Sequence, residues 1–148
     1  MKAVIQRVKH GSVSVDGNTI AEINQGLMIL LGIAPGDTDE FAASMAKKIA
    51  SLRIFEDAEN KMNRSVLDVG GEAIVVSQFT LYADTRKGRR PSFNTAAKPK
   101  FAEPMVETFI DFLKQTGLPT QSGVFGAHML VEIENDGPVT ILIEFPPD

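Results

Sequence analysis

Residues 27–31 read Leu-Met-Ile-Leu-Leu between Gly26 and Gly32, an apolar run with no polar alternation. A strand with one wet face alternates, so a run this short and uniformly apolar fits a strand covered on both faces. The fold must then supply a layer on each side of it. Residues 74–82 read as a second buried strand. Val4 and Val8, then Val13 and Val15, give strand-like alternation in two runs with His10-Gly11 between them. Asp16-Gly17-Asn18 is a hairpin signal that returns the chain through residues 19–23. A first helix comes after Pro35-Gly36, with Asp37 as its cap and Glu40 completing a capping box. Its stripe of Phe41, Met45, Ile49 and Leu52 has helical spacing and reads as core. Residues 56–71 are polar and rich in turn formers, a loop or irregular hairpin. A second helix is expected over residues 99–116, with Phe101, Met105, Phe109, Phe112 and Leu113 inward. Pro104 falls in its first turns, and Gly117 and Pro119 stop it. Two further strands, residues 126–134 and 139–145, are joined by Asn135-Asp136-Gly137-Pro138. Strands and helices mix without a regular βαβ alternation, which points to an α+β fold.

At 148 residues, 43% hydrophobic and 23% charged, the chain has the makings of one soluble globular domain and not of a disordered segment. It has no cysteine, which excludes a disulfide framework and thiolate metal sites. With two histidines, His10 and His128, a zinc site would lean on carboxylates. The opening MKAVIQRVKHGSV is too polar for a secretory signal, and no run approaches the ~18 apolar residues of a membrane span. A cytoplasmic protein with no membrane partner is expected. Net charge is −4, which argues against indiscriminate nucleic-acid binding. Yet six of the 15 basic residues (Arg86, Lys87, Arg89, Arg90, Lys98, Lys100) lie between Thr85 and Ala102 with no acid among them. The other nine face 19 acidic residues. Such a segment reads either as one point of contact with a polyanion or as a solvated loop.

Side-chain catalysis finds little here. A nucleophile–base arrangement needs a histidine in reach, but His10 falls at a strand end and His128 inside an apolar strand. No phosphate-binding or dinucleotide glycine pattern is present. Glu132 and Glu134 share a strand face, as solvated sheet faces commonly arrange. Two segments stand apart. Ser77-Gln78-Phe79-Thr80-Leu81 sets three polar side chains in an apolar strand, so either a cavity lies at that strand end or these groups support the fold. Asn135-Asp136-Gly137-Pro138-Val139-Thr140 is a rigid junction or an ordinary turn.

Together, SQFTL (77–81) and NDGPVT (135–140) resemble the two signatures of the D-aminoacyl-tRNA deacylase, or D-tyrosyl-tRNA deacylase, family. MKAVIQRV at the start, KGRRPSF (87–93) and GVFGAHM (123–129) are similar to further family segments, and their order spans nearly the whole chain. The resemblance implies a single domain, residues 1–148, with a mixed, largely antiparallel, barrel-like sheet, two main helices and an active site built at a subunit interface. It implies hydrolysis of the ester joining a D-amino acid, or glycine mischarged on alanine tRNA, to the terminal adenosine of tRNA. It also implies a homodimer in which a cis Gly137-Pro138 element enters the partner's pocket beside Ser77, Gln78, Phe79 and Thr80, with Phe125, Ala127 and Met129 as further walls. A stiff backbone element placed against the α-carbon would exclude L-aminoacyl groups whatever their side chain, and glycine permits that close approach.

The family picture assigns activation of the attack to the tRNA 2′-hydroxyl and oxyanion stabilisation to backbone amides, with Phe79 and Thr80 the candidates here. The Thr80 side chain as nucleophile is the lesser alternative, since no adjacent base is visible. Arg86, Lys87, Arg89 and Arg90 would hold acceptor-stem phosphates. The aminoacylated 3′ end of tRNA and a second copy of the chain are the expected partners; no cofactor, metal or DNA is expected. Two other classes stay open on the residues alone: a non-catalytic RNA-binding module and a side-chain-nucleophile esterase.

Overall fold

A computed structural model describes residues 1–146. The chain opens with β1 (Lys2–Val15), turns at Asp16-Gly17 and returns as β2 (Asn18–Ile23). Both turn residues have positive φ, 50° and 80°, as a two-residue hairpin favours. The expected break at His10-Gly11 does not occur. The last long strand, β8 (Leu130–Glu144), pairs antiparallel with β1 from Lys2↔Glu144 to Ser14↔Leu130, and its ladder runs straight through His10↔Glu134 and Gly11↔Ile133. The same pairing merges the two expected C-terminal strands into one. Residues 135–138 are absorbed as register irregularities opposite Gln6–His10, and residues 126–129 fall outside the strand.

The other edge of β1 is shared by β2 and by β3 (Gly26–Gly32), which holds the uniformly apolar run 27–31. β3 is antiparallel to β1 and parallel to β6 (Glu72–Ser77). β6 is in turn parallel to the short β7 (Thr120–Ser122), an element the sequence pattern did not announce. The order β2-β1-β3-β6-β7, with β8 on β1, is mixed as expected. It nearly closes on itself, because the Gln121 side chain of β7 reaches the backbone of Glu22 in β2.

One face of this sheet encloses Val8, Val13, Ala21, Ile23, Met28, Ile74 and Val76. The other carries Ile5, Leu27, Ile29, Leu31 and Val75 against two helices, α1 (Asp39–Ser51) and α2 (Pro99–Gln115). Alternate residues of β3 thus enter opposite cores, which is why its sequence does not alternate. Each such side chain contributes about 1.5–3 kcal/mol by burial.

Met45 and Ile49 of α1 and Met105, Phe109 and Leu113 of α2 are buried as expected. Phe41, Leu52 and Phe112 are half-buried, and Phe101, expected inward, is exposed. Pro99 takes the first position of α2, whereas Pro104 lies beyond the first turn, inside the helix. The cap of α1 is Thr38, whose Oγ1 accepts from the Phe41 amide at 3.2 Å. Asp37 is engaged elsewhere, its carboxylate accepting from the Met1 ammonium at 2.7 Å and from the Ala34 amide at 2.8 Å. The expected loop or irregular hairpin over residues 56–71 includes an irregular hairpin of β4 (Phe55–Glu56), which starts one residue earlier, and β5 (Met62–Arg64). Among the described residues no helix is long and apolar enough to cross a membrane.

Candidate active site

β6 does not run on to Tyr82 as the apolar pattern indicated. Its last rung is Leu31↔Ser77, after which the Gln78 amide donates to the Leu31 carbonyl at 2.8 Å and β3 ends. With no strand alongside, residues Phe79–Tyr82 wind into a 3-10 turn, closed by Leu81 N–H to the Gln78 carbonyl at 3.2 Å. The first amides of a helical turn have no acceptor within it, and here these belong to Phe79 and Thr80. The Gln78 side-chain amide donates to the Thr80 hydroxyl, which ties the two polar side chains to each other.

This strand end opens on a cavity of about 580 Å³. Ser77, Gln78 and Phe79 form one wall; Phe125, Ala127 and Met129, on the loop between β7 and β8, form another. The start of α2, with Lys98, Pro99 and Ala102, closes a third side. Phe79 is 55% exposed and meets Phe93 edge-on, centroids 5.0 Å apart. The cavity resolves the alternative posed by the polar strand end. Phe93 and Lys98 were not assigned to the site from sequence, although both lie in or beside the basic segment. His128 lines the cavity from the loop and is exposed, not set in a strand. Thr80 adjoins the lining through Gln78.

Gly137 and Pro138 are absent from this lining; they sit exposed on β8, with a cis peptide between them. Arg7 of β1 anchors this stretch and was missed from sequence. It is 5% exposed, donates from Nε to the Asp136 carbonyl at 3.0 Å and from Nη1 to the Ile54 carbonyl at 2.7 Å. Gly137 has φ +125°, and a Cβ there would lie 3.0 Å from Arg7 Nη2 and 2.9 Å from Val139 Cγ2. Thr140 Oγ1 donates to Gln6 Oε1 at 2.6 Å on the far side of the junction. The signal for Arg7 is a cation set among the apolar residues of MKAVIQRV, the second there after Lys2.

The basic residues Arg86, Lys87, Arg89 and Arg90 are exposed on a loop pinched by a bridge between Asp84 and Ser92. Arg86 turns back on Asp84, Nε and Nη2 at 2.9 and 2.7 Å from its carboxylate oxygens. Hydrogen bonds from the Arg86 side chain and then its amide, with the nearby guanidinium charge, hold the Asp84 carboxyl down at about 2. Among the described residues Lys87, Arg89 and Arg90 form no ion pair. At the end of the 3-10 turn, burial and then the charges of Asp37 and Glu144 push the Tyr82 phenol well above its ordinary range. No group of three or more His, Asp or Glu side chains among the described residues is placed to hold a metal ion.

The family model described as D-Tyr-tRNA(Tyr) deacylase matches residues 4–144. D-aminoacyl-tRNA deacylases of Roseiflexus castenholzii and Halalkalibacterium halodurans are 58% and 56% identical over 144 residues, 97% of this chain and 92% and 99% of theirs. A solved structure described as c-Myc DNA Unwinding Element Binding Protein superposes with a TM-score of 0.93 at 44% identity, covering 99% of this chain and 100% of that one. A structure described as a probable eukaryotic D-amino acid tRNA deacylase shares the fold, with a TM-score of 0.81 at 17% identity, 96% of this chain and 97% of that one. With the signature segments gathered at one strand end and one strand junction, and the match running almost from end to end, the chain belongs to the D-Tyr-tRNA(Tyr) deacylase family, hydrolases of the ester bond of D-aminoacyl-tRNA.

Proposed function

We propose that the cavity at the end of β6 receives the aminoacylated 3′ end of tRNA, and that a second copy of the chain completes it, so that the enzyme is a cytoplasmic homodimer. The ester carbonyl would lie against the Phe79 and Thr80 amides, which stabilise the developing oxyanion. The vicinal 2′-hydroxyl of the terminal ribose assists the attack of water, the acyl–oxygen bond breaks, and amino acid and tRNA leave. The observation that carries this reading is where β6 stops: its end leaves the Phe79 and Thr80 amides without a strand partner at the margin of a cavity large enough for an aminoacyl nucleoside. The Thr80 hydroxyl, already accepting from Gln78, is not required as a nucleophile.

Chiral selection falls to Gly137 and Pro138 of the partner subunit. They lie outside the cavity of their own chain, exposed, on a junction held by Arg7. Backbone packed against the α-carbon excludes an L side chain of any kind and admits D-aminoacyl groups and glycine, the latter including glycine on alanine tRNA. The sheet face beside this junction supports a docked second copy: Leu142, 75% exposed, shares a shallow apolar hollow with Val4 and Leu81. Lys87, Arg89 and Arg90, with Arg86 behind them, face the phosphates of the acceptor stem. The deciding experiment compares release from D-tyrosyl-, L-tyrosyl- and glycyl-tRNA by one preparation. Release from the first and third, with the second spared, is expected. Equal release from D- and L-tyrosyl-tRNA would remove the chiral reading.

A further inference from the structure

The sheet lacks one pairing to be a closed barrel. β7 is three residues long and hydrogen-bonds to β6 on one side, Ala73↔Thr120 to Val75↔Ser122. On its other side lies β2, with no strand ladder between them. A single side chain spans the gap. Gln121 Oε1 accepts from the Glu22 amide at 3.0 Å, and its Nε2 donates to the Glu22 carbonyl at 2.8 Å. A primary amide carries a donor and an acceptor together, so it can meet both backbone groups of one residue as a neighbouring strand would. A carboxylate in its place would accept from the Glu22 amide and repel the Glu22 carbonyl.

The clamp matters because the cavity wall begins immediately after β7. The Gly123 amide donates to the Val75 carbonyl at 3.0 Å, and the chain then forms the wall that holds Phe125, Ala127 and Met129. Gly123 lies directly beneath that wall: a Cβ there would fall 2.5 Å from Met129 Sδ and 3.8 Å from Val13 Cγ1. Gly123 thus packs close under the Met129 side chain, and as the residue after β7 it joins that strand directly to the wall. We propose that Gln121 is a positioning residue: by standing in for the missing β2–β7 pairing it holds the Phe125–Met129 wall at the width the substrate requires. The inference rests on the cavity being the aminoacyl-ester site.

The test uses the full-length protein with Gln121→Ala and Gln121→Glu. Each of these two solvent-exposed hydrogen bonds sits at the weak end of the range, worth roughly two- to threefold, so the pair shifts a local opening equilibrium by about four- to ninefold. Backbone amides of residues 123–129 should therefore exchange with solvent about four- to ninefold faster in either variant, with those of β1 and β3 unchanged. KM for D-tyrosyl-tRNA should rise by a similar factor while kcat stays within about twofold, because the wall binds and the β6 end reacts. A folded variant with unchanged exchange over residues 123–129 and unchanged KM overturns the proposal. Should both variants fail to fold, the wild type decides: the Glu22 amide must be protected, and its exchange at the unprotected rate means that the clamp does not form. Failure of the wild type to release D-tyrosine would strike the assignment of the cavity, and the exchange measurement would still judge the clamp.

Discussion

Arg7 stands in β1 between Ile5 and Val8, both fully buried, and it survives there because its guanidinium donates to the carbonyls of Asp136 and Ile54. Buried charge is tolerated when its hydrogen bonds are met. Arg7→Met should leave both carbonyls short of a donor, cost about 1–3 kcal/mol in urea denaturation, and lower the preference for D- over L-tyrosyl-tRNA. Gly137→Ala places a Cβ at φ +125° against Arg7 and Val139, at a cost of about 1–2 kcal/mol. Its folded form should release L-tyrosine faster relative to D-tyrosine than the wild type does. Thr80→Ala removes a hydroxyl and keeps the amide, so kcat for D-tyrosyl-tRNA should stay within about tenfold; a fall beyond about a thousandfold would make the hydroxyl the nucleophile. Residue identity announced Gly137, Pro138 and the polar residues 77, 78 and 80. Arg7 was not legible, because a cation in an apolar run acquires its meaning from carbonyls 47 and 129 residues away.

Among the elements, the basic loop shows how neighbours change a charge count. Asp84 lies one residue outside the acid-free stretch and takes Arg86 as its partner. Arg89→Ala should reduce the slope of log affinity for tRNA against log salt by about 0.7–0.9, and Arg86→Ala by less, as fluorescence titrations at several salt concentrations would show. The Asp84 pKa is depressed in the folded chain, to about 2, so the tether contributes fully above the ordinary aspartate range and is lost as pH falls toward 2. A carboxyl-detected NMR titration should find Asp84 ionised throughout pH 4–8. The helices were legible in outline because each repeats its apolar spacing within one segment. The α1 cap was not, since Asp37 and Thr38 are both capping types and the Met1 ammonium claims the first.

At the scale of the molecule, β8 lays one long exposed strand along β1, and the Leu142 hollow on that sheet face is where a second copy is proposed to seat. Leu142→Asp should yield a folded monomer by sedimentation, with deacylation reduced at least tenfold, since a lone chain presents its cavity without Gly137 and Pro138. A dimeric, fully active Leu142→Asp protein would place the interface elsewhere. The sequence by itself determined the α+β class, the doubly covered β3, both helices, the first hairpin and the family segments. Each element and each family segment is written in spacing or chemistry local to it, and the class follows from their order along the chain. The tertiary structure alone decided that β1 and β8 are each continuous, that β6 stops at Ser77, that β7 exists and that Gln121 closes the sheet. A strand lasts as long as a hydrogen-bonding neighbour runs beside it, and that neighbour comes from a distant part of the chain, where local periodicity carries no record of it.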